Sequence, residues 1–97
     1  MKKAVILSLS DNVATALERV EPDDIVGVFD SDKKPVQDIV SLSHIDAGHK
    51  IAACDIEKGS NVVKYGYVIG KASEFIKKGS LVHVSNLESL RGRGDLA

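Results

Sequence analysis

Short apolar runs separated by polar turns dominate the chain and predict a fold built mainly of short β-strands. The run 4–9 (AVILSL) is rich in β-branched residues and predicts a buried strand. The run 25–29 (IVGVF) predicts a second strand, in which Gly27 indicates a bulge or a close approach of another chain segment. The segment 36–45 (VQDIVSLSHI) predicts one or two further short strands.

The segment after the first strand is the one place where the spacing of apolar residues favours a helix. These residues recur at intervals that would align them on one helical face, and Ser10 or Asp11 could form the N-cap. They are Val13, Ala14, Leu17 and Val20. A turn built on Pro22 (EPDD) would follow the helix, and the polar segment 30–35 (DSDKKP) predicts a loop.

The second half of the chain repeats the form I-x-x-G three times. The copies lie at 45–48, 56–59 and 76–79, and an apolar pair follows each glycine about three residues later. Each copy predicts a strand end, a polar turn and a glycine with positive φ or a close backbone approach. Since no long helix follows any of these glycines, a phosphate-binding loop is not supported. The chain is therefore expected to be mostly β, with a compact barrel-like or clip-like shape.

Composition and charge limit the class of protein. The 97 residues leave room for one core, and the absence of Trp makes that core aliphatic. The net charge of −1 argues against a general nucleic-acid-binding surface, and no apolar run is long enough to span a membrane. The single cysteine, Cys54, cannot form an internal disulfide, is expected to be buried and inert beside Asp55, and fits a cytoplasmic location.

Histidines are the first candidates for chemistry. His49 directly follows Gly48, where a side chain projects from a rigid turn, and the other two copies of the repeat have serine in its place. His83 interrupts the apolar run LVHVSN near a strand end and could point into a cleft. His44 and His49 match no zinc-binding spacing, and a surface or turn role is favoured for His44.

Lysines and one tyrosine are the second group of candidates. Lys50, Lys64 and Lys71 each adjoin a turn or a short strand. Clustered in space they would form an anion site, whereas each alone would be a solvated charge. Tyr65 could offer its hydroxyl to a ligand or could pack half-buried against the protein.

Three segments together resemble the small N-terminal domain, or separate small subunit, of the altronate/galactarate dehydratase family. They are 11–17 (DNVATAL), 45–72 (IDAGHKIAACDIEKGSNVVKYGYVIGKA) and 76–89 (IKKGSLVHVSNLES). Small subunits of sulfolactate sulfo-lyases are similar too. The resemblance implies an SAF-type β-clip fold over residues 1–90, and the polar, Gly-rich segment 91–97 is expected to be a flexible tail.

The resemblance also implies a function. The chain would be the small subunit of a hydro-lyase that removes water from an anionic sugar acid, and it would not be catalytic alone. A large catalytic dehydratase subunit would be its partner and would hold most of a divalent metal site, with iron as a frequent metal. Catalytic roles would fall to His49 and His83, and substrate binding to Lys50, Lys64, Tyr65 and Asn86.

One departure from the family pattern leaves alternatives open. The family usually carries H-x-H-N where this chain has His83-Val84-Ser85-Asn86. A serine hydroxyl neither binds a metal nor moves a proton as well as an imidazole does near neutral pH. The alternatives are a non-catalytic β-clip module that binds an acidic ligand or a partner protein, and a small subunit of a sulfolactate sulfo-lyase.

Overall fold

The computed structural model describes residues 1–89, which form nine β-strands in two sheets and no helix. The strands are β1 (Lys2–Val5), β2 (Val13–Ala16), β3 (Ile25–Phe29), β4 (Pro35–Val40), β5 (Lys50–Ala52), β6 (Asn61–Lys64), β7 (Tyr67–Ala72), β8 (Leu81–Val82) and β9 (Leu87–Ser89). The larger sheet has the order β4-β3-β1-β2-β5-β8, and the smaller has the order β6-β7-β9. The expected mostly-β class is confirmed. The tail predicted at 91–97 lies outside the described residues.

The segment predicted as a helix is strand β2, so the helix prediction is wrong. β2 pairs antiparallel with β1 on one side and with β5 on the other. Its neighbouring residues Val13 and Ala14 belong to two different hydrophobic cores, one on each face of the strand. Because both faces are buried, β2 lacks the apolar–polar alternation that identifies a strand, and its apolar residues imitate helical spacing.

The described residues form two aliphatic cores, so the expectation of a single core is wrong: the strand pair β2 and β5 is buried on both faces and is the common wall of the two cores. In β5, Ile51 belongs to the first core and Ala52 to the second. The buried members of the first core are Ala4, Ile6, Ala14, Ala16, Val20, Val26, Val28, Ile39, Ile45, Ile51 and Ala53. Those of the second are Val13, Ala52, Ile56, Val62, Ala72, Ile76 and Val82. Packing on both faces holds this wall rigid, and with it the residues at its ends.

The first strand ends at Val5, earlier than the run 4–9 predicts. Leu7 and Leu9 are 54% and 85% exposed, so the second half of that run does not belong to a buried strand. The chain turns here because the Asp11 carboxylate accepts hydrogen bonds from the N–H groups of Leu7 and Ser8, at 3.1 and 3.2 Å. Asp11 thus closes a loop and does not cap a helix.

Strands β3 and β4 lie where the sequence predicts them. Gly27 in β3 is closely packed, since a Cβ there would lie 2.7 Å from the sulfur of Met1. The ladder between the two strands also shifts register between Val28 and Phe29. Gly27 is therefore closely packed, as predicted, and the strand has an irregularity one residue beyond it.

The three I-x-x-G copies form the same turn, as predicted. Gly48, Gly59 and Gly79 have φ values of 87°, 85° and 93°. In each copy the residue after the glycine donates its N–H to the carbonyl three residues earlier, at 3.0 Å. Ile56 and Ile76 also face each other in an isolated antiparallel bridge. Glycine is needed because side-chain-bearing residues rarely adopt positive φ.

A fourth copy of this turn, at residues 20–24, is missed by the sequence pattern. Val20 stands in the place of the isoleucine and bridges Ile45, while Asp23 stands in the place of the glycine with a φ of 74°. Asp24 closes the turn by donating its N–H to the carbonyl of Glu21 at 3.0 Å. Aspartate is one of the few residues besides glycine that adopt this conformation, which is why the motif disappears from the sequence while the turn remains.

We call the four repeated units corners: residues 16–24, 41–49, 52–60 and 72–80. They form two bridged pairs, the first with the second and the third with the fourth. In each corner the positive-φ residue donates its N–H to the carbonyl of the small buried residue that opens the bridged corner, at 2.8–2.9 Å. These opening residues are Ala16, Ser41, Ala52 and Ala72. The same backbone frame therefore fixes the residue that ends each corner, including His49.

Candidate functional site

A cleft of about 390 Å³ opens beside the Gly48 turn, where the end of β5 meets the smaller sheet. Of the six site residues predicted from the sequence, three line it: His49, Lys50 and His83. The remaining lining residues are Gly48, Ile69, Val84, Leu87 and Ser89. The cleft therefore has one polar wall and one largely apolar wall.

His49 and His83 are neighbours in this cleft although they are distant in sequence. Their ring centroids lie 5.5 Å apart, with the ring planes inclined by 35°. The pairing of β5 with β8, in which Lys50 is in register with Val82, brings the two histidines to the same place. Both are exposed, so each imidazole is accessible to a ligand. Imidazoles exchange protons near neutral pH, so the pair is suited to proton transfer.

The turn that carries His83 is held together by Asn86. The Oδ1 of Asn86 accepts a hydrogen bond from the backbone N–H of His83, and its Nδ2 donates to the carbonyl of Leu81, both at 2.8 Å. Its side-chain amide is thus engaged with backbone groups and fixes the position of His83. Ser85 is exposed in the same turn. That Asn86 contacts substrate stays a prediction.

Two lysines give the site its positive charge. Lys50 lines the cleft half-buried, and burial lowers the pKa of its ammonium group below the usual value. The positive charge of Lys64 lowers that pKa further, although Lys64 does not line the cleft. No acidic side chain of residues 1–89 lines the cleft. Two neighbouring ammonium groups without an acidic partner in the cleft favour an anionic ligand such as a carboxylate.

Tyr65 and Lys71 lie apart from the cleft. The hydroxyl of Tyr65 donates a hydrogen bond to the Oγ1 of Thr15 at 3.0 Å, and the Nζ of Lys64 lies 5.0 Å from the centroid of its ring. Lys71 is exposed on β7 and does not line the cleft. The predicted substrate contact of Tyr65 stays a prediction. Thr15 was missed because the helical interpretation of β2 gave no reason to place it near the site.

The apolar wall was also missed. Val84 is 78% exposed beside His83, and Ile69 and Leu87 are half-buried. These residues come from β7, β9 and the turn between β8 and β9. The run LVHVSN argued against Val84 as a neighbour of His83 in the cleft, because alternation along a strand sets these two residues on opposite faces. That signal fails because the strand ends at Val82 and the turn brings both residues to the cleft.

The described residues do not form a complete metal site. No group of three His, Cys, Asp or Glu side chains is gathered anywhere in residues 1–89. The pair His49 and His83 would supply two protein ligands, whereas protein-bound transition metals usually have three or four. These residues therefore do not fit a metal held by this part of the chain alone.

His44 and Cys54 lie away from the cleft. His44 lies on the surface, as predicted, and bridges Glu21 and Asp46 with its two ring nitrogens at 2.9 and 2.8 Å. These hydrogen bonds raise the pKa of its imidazole. Cys54 is exposed, so the prediction that it is buried is wrong. Its pKa is nevertheless raised, first by partial desolvation of the thiol and then by the charge of Asp55.

Comparison with known proteins gives a family model and relatives that name altronate or galactarate dehydratases. Residues 2–90 match the family model of the altronate/galactarate dehydratase SAF domain. The chain is 32% identical over 89 residues to the altronate dehydratase of Bacillus subtilis, an alignment that covers 92% of the chain and 17% of that enzyme. It is 41% identical over 76 residues to the altronate dehydratase of Escherichia coli, covering 78% of the chain and 14% of that enzyme.

A third relative is a subunit of a different lyase. The chain is 38% identical over 47 residues to the alpha subunit of (2R)-sulfolactate sulfo-lyase from Chromohalobacter salexigens, covering 48% of the chain and 50% of that subunit. The chain thus spans about a sixth of the two altronate dehydratases and about half of the sulfo-lyase subunit.

Proposed function

The chain belongs to the altronate/galactarate dehydratase SAF-domain family, and on that premise we propose that it is the small subunit that completes the active site of a sugar-acid dehydratase. The observation that carries the proposal is the meeting of His49, His83 and Lys50 in one exposed cleft. Acid–base groups and a cation together are what the dehydration of a carboxylic acid requires. Most of the length of the altronate dehydratases has no counterpart in this chain, and the proposal assigns that part to a larger partner polypeptide.

In this proposal the lysines bind the substrate through its carboxylate. Lys50 and Lys64 provide two ammonium groups of like charge, one of them partly removed from water. A bound carboxylate relieves their mutual repulsion and accepts charge-assisted hydrogen bonds from both. Binding at this point also draws electron density from the carbon next to the carboxylate, which makes its proton easier to remove.

The two histidines then move the protons. One imidazole, in its neutral form, accepts the proton from the carbon next to the carboxylate. The other, in its protonated form, donates a proton to the hydroxyl group on the following carbon, which leaves as water while the carbon–carbon double bond forms. The 5.5 Å between the His49 and His83 rings allows both to reach adjacent substrate carbons. The divalent metal expected from the family is assigned to the larger polypeptide, and no step of this scheme passes through it.

Reconstitution of the enzyme from its two polypeptides tests the proposal. The chain is co-purified with a larger dehydratase polypeptide from the same organism, and turnover of altronate, galactarate and (2R)-sulfolactate is measured with and without the chain. We expect dehydration of a sugar acid that depends on the chain. His49→Ala is expected to reduce the rate at least about tenfold, since a positioned acid–base group contributes about 10²–10⁴.

A matched control is Ser60→Ala, because Ser60 holds the place of His49 in the third corner and does not line the cleft. It is expected to leave the rate unchanged. Unchanged turnover when the chain is omitted would overturn the small-subunit role. Turnover of (2R)-sulfolactate alone would move the chain to the sulfo-lyase alternative.

A second candidate is a non-catalytic module that binds an acidic ligand. It is favoured by Ser85, which stands where the family usually has a second histidine, and by the cationic character of the cleft. Calorimetry of the 97-residue chain with galactarate tests this candidate directly. Binding by the chain alone, together with no effect of the chain on turnover by any larger polypeptide, would establish it over the dehydratase role.

A further inference from the structure

The hairpin that joins β6 to β7 places a tyrosine in an unusual backbone conformation. Tyr65 and Gly66 form its two-residue turn, with φ values of 55° and 82°. Turns of this kind prefer asparagine, aspartate or glycine at the first position, because a bulky side chain at positive φ is strained. A tyrosine there indicates that its side chain has a function that asparagine or glycine could not supply.

Two contacts hold this turn against the larger sheet. The Tyr65 hydroxyl donates to Thr15 Oγ1 at 3.0 Å, and the N–H of Gly66 donates to Asp11 Oδ1 at 2.7 Å. Thr15 lies in β2 directly opposite Lys50 of β5. The tyrosine ring is therefore fixed beside the strand pair that carries the cleft lysine.

The same ring also holds the second lysine. The ammonium group of Lys64 lies 5.0 Å from the centroid of the Tyr65 ring, within the range of a cation–π interaction. Without this contact, two neighbouring ammonium groups would move apart, since like charges repel. Since the ring is bonded to Thr15, which lies opposite Lys50 in the ladder between β2 and β5, Tyr65 holds Lys64 on the side of the sheet edge that carries Lys50, and the charge of Lys64 helps to lower the pKa of Lys50.

We propose that Thr15 and Tyr65 are positioning residues that hold Lys64 beside Lys50, so that the two ammonium groups bind one carboxylate together. The hydroxyl of Thr15 anchors the hydroxyl of Tyr65, and the face of the Tyr65 ring fixes Lys64. Neither residue needs to touch the ligand. This inference rests on the proposed function, because it concerns the same carboxylate-binding lysines.

The test uses the full chain and two readouts. The titration midpoint of Lys50 is followed by NMR of its Cε and Hε nuclei, and the dissociation constant of galactarate is measured by calorimetry. Thr15→Val and Tyr65→Phe each remove one partner of the hydroxyl pair. Both are expected to raise the Lys50 midpoint toward its ordinary value and to weaken galactarate binding about twofold to tenfold, the range that corresponds to the loss of one hydrogen bond.

Three further variants make the result specific. Thr15→Ser keeps the hydroxyl and is expected to restore both readouts. The double variant Thr15→Val/Tyr65→Phe removes both hydroxyl groups, and its effect is expected to equal that of either single change. Tyr67→Phe alters an exposed tyrosine of the same hairpin and is expected to change neither readout.

Unchanged Lys50 midpoints in both Thr15→Val and Tyr65→Phe would overturn the proposal. If Thr15→Val does not fold, Tyr65→Phe decides alone. Failure of the wild-type chain to bind galactarate would contradict the shared carboxylate site of this inference, while the reconstituted turnover assay tests the proposed function independently of it. A purely structural role for Thr15 would change stability but would move neither readout.

Discussion

The carboxylate of Asp11 accepts a hydrogen bond from the backbone N–H of Gly66 at 2.7 Å, joining two residues 55 positions apart. Its other oxygen accepts the N–H groups of Leu7 and Ser8. One side chain thus ties the loop between β1 and β2 to the turn between β6 and β7. Asn12 continues this connection, with its Oδ1 accepting the N–H of Val63 at 2.7 Å.

We expect Asp11→Ala to lower the free energy of unfolding by about 2 kcal/mol. The change leaves three backbone N–H groups without their acceptor, and hydrogen bonds to a charged group contribute about 1.5–3 kcal/mol each when shielded and less when exposed. Urea denaturation measures the effect. Asp32→Ala, in the exposed loop between β3 and β4, serves as a control and should change stability by less than about 0.5 kcal/mol. Equal stability of both variants would contradict this account of Asp11.

The fourth corner offers a stabilising substitution. Asp23 has a φ of 74° in the place where the other three corners have glycine. Relief of this strain is worth about 1–2 kcal/mol and is partly offset by the greater freedom of glycine in the unfolded chain, about 0.4–1 kcal/mol. Asp23→Gly is therefore expected to raise the free energy of unfolding by about 0.5–1 kcal/mol in a urea titration.

The reverse substitution in an equivalent corner is the matched control. Gly59 has a φ of 85°, and a Cβ there would meet no atom within 4 Å, so strain of the backbone is the main cost of a side chain. Gly59→Asp should destabilise the protein by about the amount that Asp23→Gly stabilises it. A loss of stability in Asp23→Gly would show that the Asp23 side chain makes a contribution that its geometry does not reveal.

Two glycines with nearly the same φ should differ in how well they tolerate alanine. At Gly48 an added Cβ meets nothing within 4 Å, whereas at Gly79 it would collide with the carbonyl oxygen of Val40. Gly79→Ala is expected to cost about 1–3 kcal/mol more than Gly48→Ala, because backbone atoms must move to admit the methyl group. Thermal or urea unfolding of the two variants gives the comparison, and equal losses would contradict it.

His44 should make stability depend on pH. Its two ring nitrogens bridge Glu21 and Asp46, and only the imidazolium can donate to both carboxylates. The folded-state pKa is raised above 6.5, so this contribution is fully present below the unfolded pKa and is lost as pH rises through the folded pKa. Arg19 also pairs with Glu21, which keeps that carboxylate in place at higher pH.

The expected result is a stability gap between the wild type and His44→Gln that is present at about pH 5.5 and absent at about pH 8.5. Urea midpoints at the two pH values measure it. His83→Gln is the control, because His83 has no carboxylate partner among residues 1–89, so its gap should not follow the same course. A gap that grows with pH would contradict the assigned protonation.

Features that depend only on residues close together in the sequence, such as turns and one strand, were predicted correctly. The three I-x-x-G turns were predicted correctly because a turn with positive φ favours glycine, which has no Cβ to strain the backbone there. The run 25–29 was predicted correctly because β-branched residues between turns favour a strand. The fourth corner was missed because Asp23 meets the same backbone demand without being a glycine.

Features that depend on the pairing of strands far apart in the sequence could not be predicted. β2 is a strand because β1 and β5 bond to it from both sides, and no property of residues 13–16 alone indicates those partners. The same holds for the site. His49 and His83 were named from the sequence, but the pairing of β5 with β8 brings them together. Thr15 lies beside the site, and not in it, because the register between β2 and β5 sets it opposite Lys50.

The repetition of one backbone unit four times has a consequence for protein engineering. In each corner the residue after the turn is held by the same set of backbone hydrogen bonds. These residues are Asp24, His49, Ser60 and Ser80. The frame itself is closed by backbone atoms, to which Asp24 adds a side-chain contact by accepting the N–H of Glu21 at 2.9 Å. The corners therefore support different side chains at the residue after the turn, and a reactive group can be installed at Ser60 without redesigning the chain path that supports it.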